Sequence, residues 1–215
     1  MLVIMSDTVP SYRTAPPRLV AGRLCLDFVN TVEWRGAPGQ RLERLTDYGE
    51  LLLWSAAAGL LDDADCRLRS EEAARRPSAA TSVVRQAVAA RELLAGLLAG
   101  DAGLRGLADF NWLLRQMPRG GLRADGKGHT WRFDGGDRLG DPLWPVLWDA
   151  AALLASPDLD RVSHCRNARC GWFFLDHSRN RSRRWCSMDS CGNRAKARRH
   201  YARHKAAAEV RRTGG

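Results

Sequence analysis

Residues 164–205 read HCRNARCGWFFLDHSRNRSRRWCSMDSCGNRAKARRHYARHK and hold four of the six cysteines, Cys165, Cys170, Cys186 and Cys191. Their spacing is C-x4-C-x15-C-x4-C. Each short spacer lets one tight turn aim two sulfurs at a common centre. The long spacer is enough chain to fold the second pair back onto the first. Four converging thiolates make a closed tetrahedral Zn2+ site, which is structural because no coordination position stays open for water or substrate. Two disulfides or ordinary buried thiols are the competing readings. The opening MLVIMSDTVPSY has no basic region, long apolar run or cleavage site of a secretory signal. A cytoplasmic location with reduced thiols is therefore the expectation, and zinc is preferred to disulfides.

The charge is distributed as unevenly as the cysteines. Residues 161–215 carry 15 Lys and Arg against 3 Asp and Glu, a formal +12. Residues 1–160 carry 19 against 21, a formal −2. A metal-stapled segment dominated by arginine suits a polyanion; a basic tail kept for solubility is the plainer alternative.

Within this segment Gly171 lets the backbone turn beneath the metal. Trp172–Leu175 reads as a strand, Asp176-His177-Ser178 as a turn, and Arg179–Trp185 as the returning strand. A helix then starts near Asp189 or Ser190 and runs to about Ala208. The order is that of a treble clef: knuckle, hairpin, then a helix supplying the last ligand. At 100° per residue Arg194, Arg198 and Lys205 share one edge of the helix, and Lys196, Arg199 and Arg203 the far side. Ala197, Tyr201 and Ala208 fall between them and are expected to pack inward. The nucleic-acid candidates are those six residues with Arg179, Arg181, Arg183 and Arg184, whose guanidinium forks match phosphate oxygens. Asn193 and Arg194 read as structural in preference to base-reading: Asn193 can bond the turn near the sulfurs, and Arg194 can stack on a ring or pair with Asp189. His164 could stand in for a sulfur, but four cysteines already fill the shell. His200 and His204 have helical metal-binding spacing but no third ligand in sequence, and His177 falls in the turn.

The preceding 160 residues read as mainly helical. Residues 1–17 contain three prolines and form a loose leader. In LVAGRLCLDFVNTVEW, Leu24, Phe28 and Val32 recur at helical spacing. Asp27, Asn30 and Glu33 interrupt it, either as caps and buried hydrogen-bonders or as contacts to a sensed ligand. Thr46 is expected to cap a helix through Ala58, and Asp62 one that ends at Pro77. Ser82–Leu98 forms a longer helix, and Asp101 caps another that Pro118 closes. GLRADGKGHTWRF reads as a β-hairpin around Asp125-Gly126-Lys127-Gly128, and DGGDRLGDP as a loop. Pro142 starts the last helix of this part, which Pro157 ends. Cys66 reads as a single buried or half-buried thiol. The fold class is mainly α with small β-hairpins (α+β), divided as a leader (1–17), a helical domain (18–158) and a zinc finger with a basic C-terminal helix (159–215).

The end of the chain, WCSMDSCGNRAKARRHYARHK, resembles the CGNR zinc finger, named for the tetrapeptide standing at Cys191–Arg194. CRNARCGWFFLDHSRNRSRRW fits that finger's first knuckle and hairpin. LCLDFVNTVEWRG followed by LTDYGELLLWSAAAGLL looks like the ABATE domain that usually precedes it. The resemblance implies a stress-induced transcription regulator whose finger binds DNA.

No catalytic constellation accompanies these features. There is no G-x-S-x-G, P-loop, H-E-x-x-H or dinucleotide fingerprint, and no run long enough to span a membrane. The sequence therefore leads to a non-enzymatic, DNA-binding regulator holding one structural Zn2+. Its helical part would dimerise or sense an unidentified small-molecule effector. An RNA-binding or ribosome-associated protein and a thiolate redox sensor are the alternatives.

Overall fold

The computed structural model describes residues 9–124, 128–134 and 138–213. Its architecture is mainly α with small antiparallel hairpins. A short helix, α1 (Leu24–Val29), buries Cys25, Leu26, Phe28 and Val29. It has no cap of its own; Asp149 supplies one from another helix. The Asp149 carboxylate accepts the Cys25 N–H at 2.9 Å and the Arg23 Nε–H at 2.9 Å. That satisfies a donor the first turn leaves open. The helix ends at Asn30, short of the Val32 that its periodicity includes, because Val32–Glu33 (β1) pairs antiparallel with Leu42–Glu43 (β2).

The longer helices are α2 (Tyr48–Ala57), α3 (Asp63–Arg75), α4 (Pro77–Ala99), α5 (Gly103–Arg115) and α6 (Leu143–Leu154); α4 packs against α1, α2, α3 and α5, and α6 against α1. Asp47, not Thr46, caps α2 by accepting the Glu50 N–H at 3.0 Å. Asp62 caps α3 as its position suggests, accepting the Asp65 N–H at 2.7 Å. The long helix starts at Pro77 rather than Ser82, since proline at the first helical position lacks only an N–H that would be unpaired anyway. It ends on Gly100 at φ +81°, where the Asp101 N–H bonds back to Gly96 O. Asp101 is thereby held in the exit turn of α4, and α5 has no side-chain cap.

The core centres on Trp54, which meets Phe28 edge-on with ring centroids 5.2 Å apart. One cation lies inside it. Arg91 on α4 has no exposed surface; it donates to both carboxylate oxygens of Glu43 and to Thr31 Oγ1. The leader is tied down over its second half, against the expectation of a loose segment. Tyr12 is buried, and its N–H donates to Glu50 Oε2 at 2.7 Å. Residues 1–8 lie outside the described residues. So do 125–127, where the hairpin turn was expected, and 135–137 of the following loop. The hairpin itself is formed by β3 (Arg119–Ala124) and β4 (His129–Asp134), in register from Arg119↔Asp134 to Ala124↔His129.

Beyond α6 a 3-10 turn (Pro157–Arg161) leads into β5 (Val162–His164), which pairs antiparallel with β6 (Phe173–Leu175). The first cysteine pair sits in the connection between these two strands. The strand expected at Arg179–Trp185 is instead a compact loop. Asp176, 1 % exposed, accepts the Ser178 and Arg183 N–H groups at 2.8 and 2.9 Å, and Ser178 Oγ accepts the Ser182 N–H at 2.8 Å. Side chains that bond their own backbone this way compete successfully with a sheet ladder. A π turn (Met188–Gly192) then opens into α7 (Asn193–Thr213).

Candidate metal centre and basic surface

The Cys165, Cys170, Cys186 and Cys191 sulfurs all lie within 4.8 Å of one another, and all four residues are buried. Cys170 and Cys186 are 3.8 Å apart. Four sulfurs about 2.3 Å from a zinc ion stand about 3.8 Å from each other, so the donor set fits one tetrahedral Zn2+. The Cys170 and Cys186 thiols donate toward the Cys165 sulfur, which lowers the pKa of Cys165 and raises their own. Asn167 Nδ2 and an Arg194 nitrogen each reach Cys191 Sγ at 3.5 Å, adding N–H···S support of the kind that tunes a metal's ligands. One structural zinc ion is the cofactor of this site.

The tetrapeptide Cys191-Gly192-Asn193-Arg194 is explained by this geometry. Cys191 supplies a sulfur. A Cβ on Gly192 would stand 2.7 Å from Met188 Sδ, so a side chain there would displace the Met188 side chain. The Asn193 Nδ2 lies 3.5 Å from Asp189 O across the π turn. The Arg194 guanidinium stacks on the Trp34 ring at 4.9 Å, so it takes a ring rather than Asp189 as partner.

Trp34 is the contact that sequence reasoning missed. It adopts φ +55°, rare for a bulky residue, and lies beneath both Arg194 and Arg169, the latter at 5.6 Å. The turn it opens is pressed against the first knuckle: a Cβ on Gly36 would fall 1.8 Å from Ala168 O. Gly171, at φ +67°, would put one 2.8 Å from Gly36 N. Further hydrogen bonds fasten finger to body. Trp172 Nε1–H donates to Val32 O at 2.8 Å, and Arg169 donates to Gln40 Oε1. Asn30 donates to Phe173 O at 2.8 Å and accepts from its N–H at 2.9 Å. The only hint in sequence was the glycine after Trp34, whose role depends on a knuckle more than 130 residues away.

The other polar candidates of the first helix are also engaged. Asp27 accepts the Ala21 N–H at 2.9 Å, and burial raises its pKa to about 6. Glu33 pairs with Arg44. All three, with Asn30, nevertheless line one cavity under the leader.

The basic residues fall into two groups. Arg183 is turned inward, contrary to its expected place on a nucleic-acid surface. It donates to the carbonyls of Val20, Leu175, Trp185 and Cys186 and lies over the Phe174 ring at 4.3 Å. Arg194 is held by Trp34 and Cys191, although part of it remains exposed. Arg179, Arg181 and Arg184 are exposed on the loop, with Arg181 donating to Asp160 O. Lys196, Arg198, Arg199, Arg203 and Lys205 are all exposed on α7. Only Ala195 among its described side chains is buried; Ala197 and Tyr201 face solvent, correcting the inward face expected of them, and Ala208 lies outside the described side chains. His200 and His204 meet through Nε2 atoms 3.1 Å apart, also in solvent. His164 is not a ligand; its ring packs on Phe173 with centroids 4.0 Å apart.

A family model described as CGNR zinc finger matches residues 161–204. A second, described as "Putative stress-induced transcription regulator" (ABATE), matches residues 22–157. No curated protein matches the chain. No helix among the described residues is long and apolar enough to cross a membrane.

Proposed function

The chain belongs to the ABATE and CGNR zinc-finger family of transcription regulators, and from that membership we propose that it binds DNA through its finger. Residues 159–215 hold the nucleic acid, while residues 18–158 form the body that senses a signal or dimerises. The observation that carries this reading is the outer surface of α7. Five of its cations, Lys196, Arg198, Arg199, Arg203 and Lys205, are exposed and bond to no carboxylate among the described residues. The helix bearing them starts at the metal centre, so zinc fixes where the charge stands.

A helix polar on every side has no packing of its own to gain from. Its cations are arranged for phosphates, with Arg179, Arg181 and Arg184 on the neighbouring loop extending the same field. Contacts of this kind release counterions, and five of them give a log–log salt slope of about −4.5. Affinity for random duplex DNA would then fall about 500-fold between 50 and 200 mM salt. Fluorescence anisotropy on the zinc-loaded full chain measures this, with structured RNA as competitor. Salt-independent or absent binding contradicts the proposal, and displacement by RNA at lower concentration than by DNA would move it to an RNA-binding function.

A further inference from the structure

The leader crosses the body as a strap above the first of two adjoining cavities. Tyr12 is anchored through Glu50, and the Arg44 guanidinium lies 4.3 Å over its ring while donating to Ala15 O at 2.8 Å. Beneath them is a cavity of about 110 Å3 walled by Tyr12, Trp54 and Trp172, with Arg18, Glu33 and Arg44 on its border. A second, of about 80 Å3, shares Arg18, Glu33 and Trp172 and continues to Trp34, Ser190 and Arg194 beside the sulfurs. Each has one buried polar atom without a partner: Arg44 Nε in the first and Ser190 Oγ in the second.

The buried side-chain atom of the larger cavity's lining that lacks a partner is a donor. Glu33 is already paired with Arg44, Asp27 with the Ala21 N–H, and Asn30 at both ends with Phe173. Arg44, with 5 % of its side chain exposed, keeps an Nε–H that meets no acceptor. Arg18 stands at the rim over Trp172, with no carboxylate partner among the described residues. A buried donor without an acceptor is unfavourable unless something supplies the oxygen. Flat aromatic walls around such donors favour an anion with an apolar body. A dry cavity of 150 Å3 holds a benzene, so these dimensions admit roughly five to nine heavy atoms.

We propose that this seam binds a small carboxylic acid. Its carboxylate accepts from Arg44 Nε–H and Arg18, and its branched or planar body lies between Tyr12, Trp54 and Trp172. This deepens the regulator reading and rests on it, by naming the effector's chemical class and site. Occupancy reaches the finger because the walls are shared. Trp172 stands two residues after Cys170, and Trp34 underlies the Arg194 that begins α7.

The test is calorimetric titration of the zinc-loaded full chain with isobutyrate and benzoate, using isobutyramide and isobutylamine as uncharged and cationic controls. Saturable binding of a carboxylate and not of the amide or amine is expected. Arg18→Ala, at the rim, weakens it about tenfold. Ala15→Leu, which fills the cavity without removing a charge, abolishes it. No saturable carboxylate binding, equal binding of the amide, preference for the amine, or full binding in Ala15→Leu overturns the site. DNA anisotropy on the same samples separates the two claims. DNA binding without carboxylate binding sinks the site alone, and carboxylate binding without DNA binding sinks the regulator reading alone.

Discussion

Asn30 spends every useful atom of its side chain on one residue of the finger. Its amide donates to Phe173 O and accepts from Phe173 N–H, and it is 4 % exposed. Asn30→Ala would leave two buried backbone groups unpaired at about 1–3 kcal/mol each, so a loss of about 3 kcal/mol is expected in urea titration. Asp27 makes a different prediction, on pH. Its pKa, about 6 in the folded chain and near 3.8 in the unfolded one, means that the native state binds more protons between those values. Stability from this group is therefore present at low pH and lost as pH rises from about 4 to 6, by at most about 3 kcal/mol. Asp27→Asn keeps an oxygen for the Ala21 N–H and should remove that slope. A wild-type-like slope in the variant would show that another group titrates there. The kind of role was legible beforehand, because polar interruptions of an apolar helix need buried partners. Which backbone atoms supply them was not, since Ala21 and Phe173 belong to other segments.

At the scale of the element, the basic helix is the informative case. The spacing of its cations was readable, and the exposure of Lys196, Arg198, Arg199, Arg203 and Lys205 agrees with it. The inward face was not, because Ala197 and Tyr201 resemble an apolar stripe and the body offers nothing to cover them. Charge alone also could not separate Arg183 from Arg184. One folds in toward the Val20 and Cys186 carbonyls while the other stays outside, since Asp176 ties the intervening loop. A helix with so little packing should be marginal in water. Amide exchange is expected to be fast along α7 after its first turn and to slow by about tenfold or more on binding duplex DNA. Equal exchange in both states would mean that the helix neither needs nor meets that partner.

For the molecule as a whole, the cysteine spacing was the most legible feature, because covalent reach leaves few ways to bring such pairs together. The interface it supports was hidden. The Trp34 turn, Gly36 and the knuckle around Ala168 are distant in sequence, and nothing local signals their close approach. Zinc is therefore expected to hold more than the finger. Free energy of about 10–16 kcal/mol accompanies structural zinc in isolated fingers, and loss of the metal is expected to undock Trp172 and Trp34 as well. Chelation, or Cys186→Ser, should release the finger and shift tryptophan fluorescence toward that of exposed indole, while the helical CD of the body persists. Retained docking after complete metal loss would show that packing alone secures the interface.

On the proposed function, a sulfur-held metal positions the α7 cations on phosphates. The most direct test compares the salt slope of DNA binding in the wild type with Arg199→Ala/Arg203→Ala, zinc content being measured in both. The prediction is unchanged zinc and a slope shallower by about 2, from two lost phosphate contacts. An unchanged slope with zinc retained would place the DNA elsewhere and contradict the account.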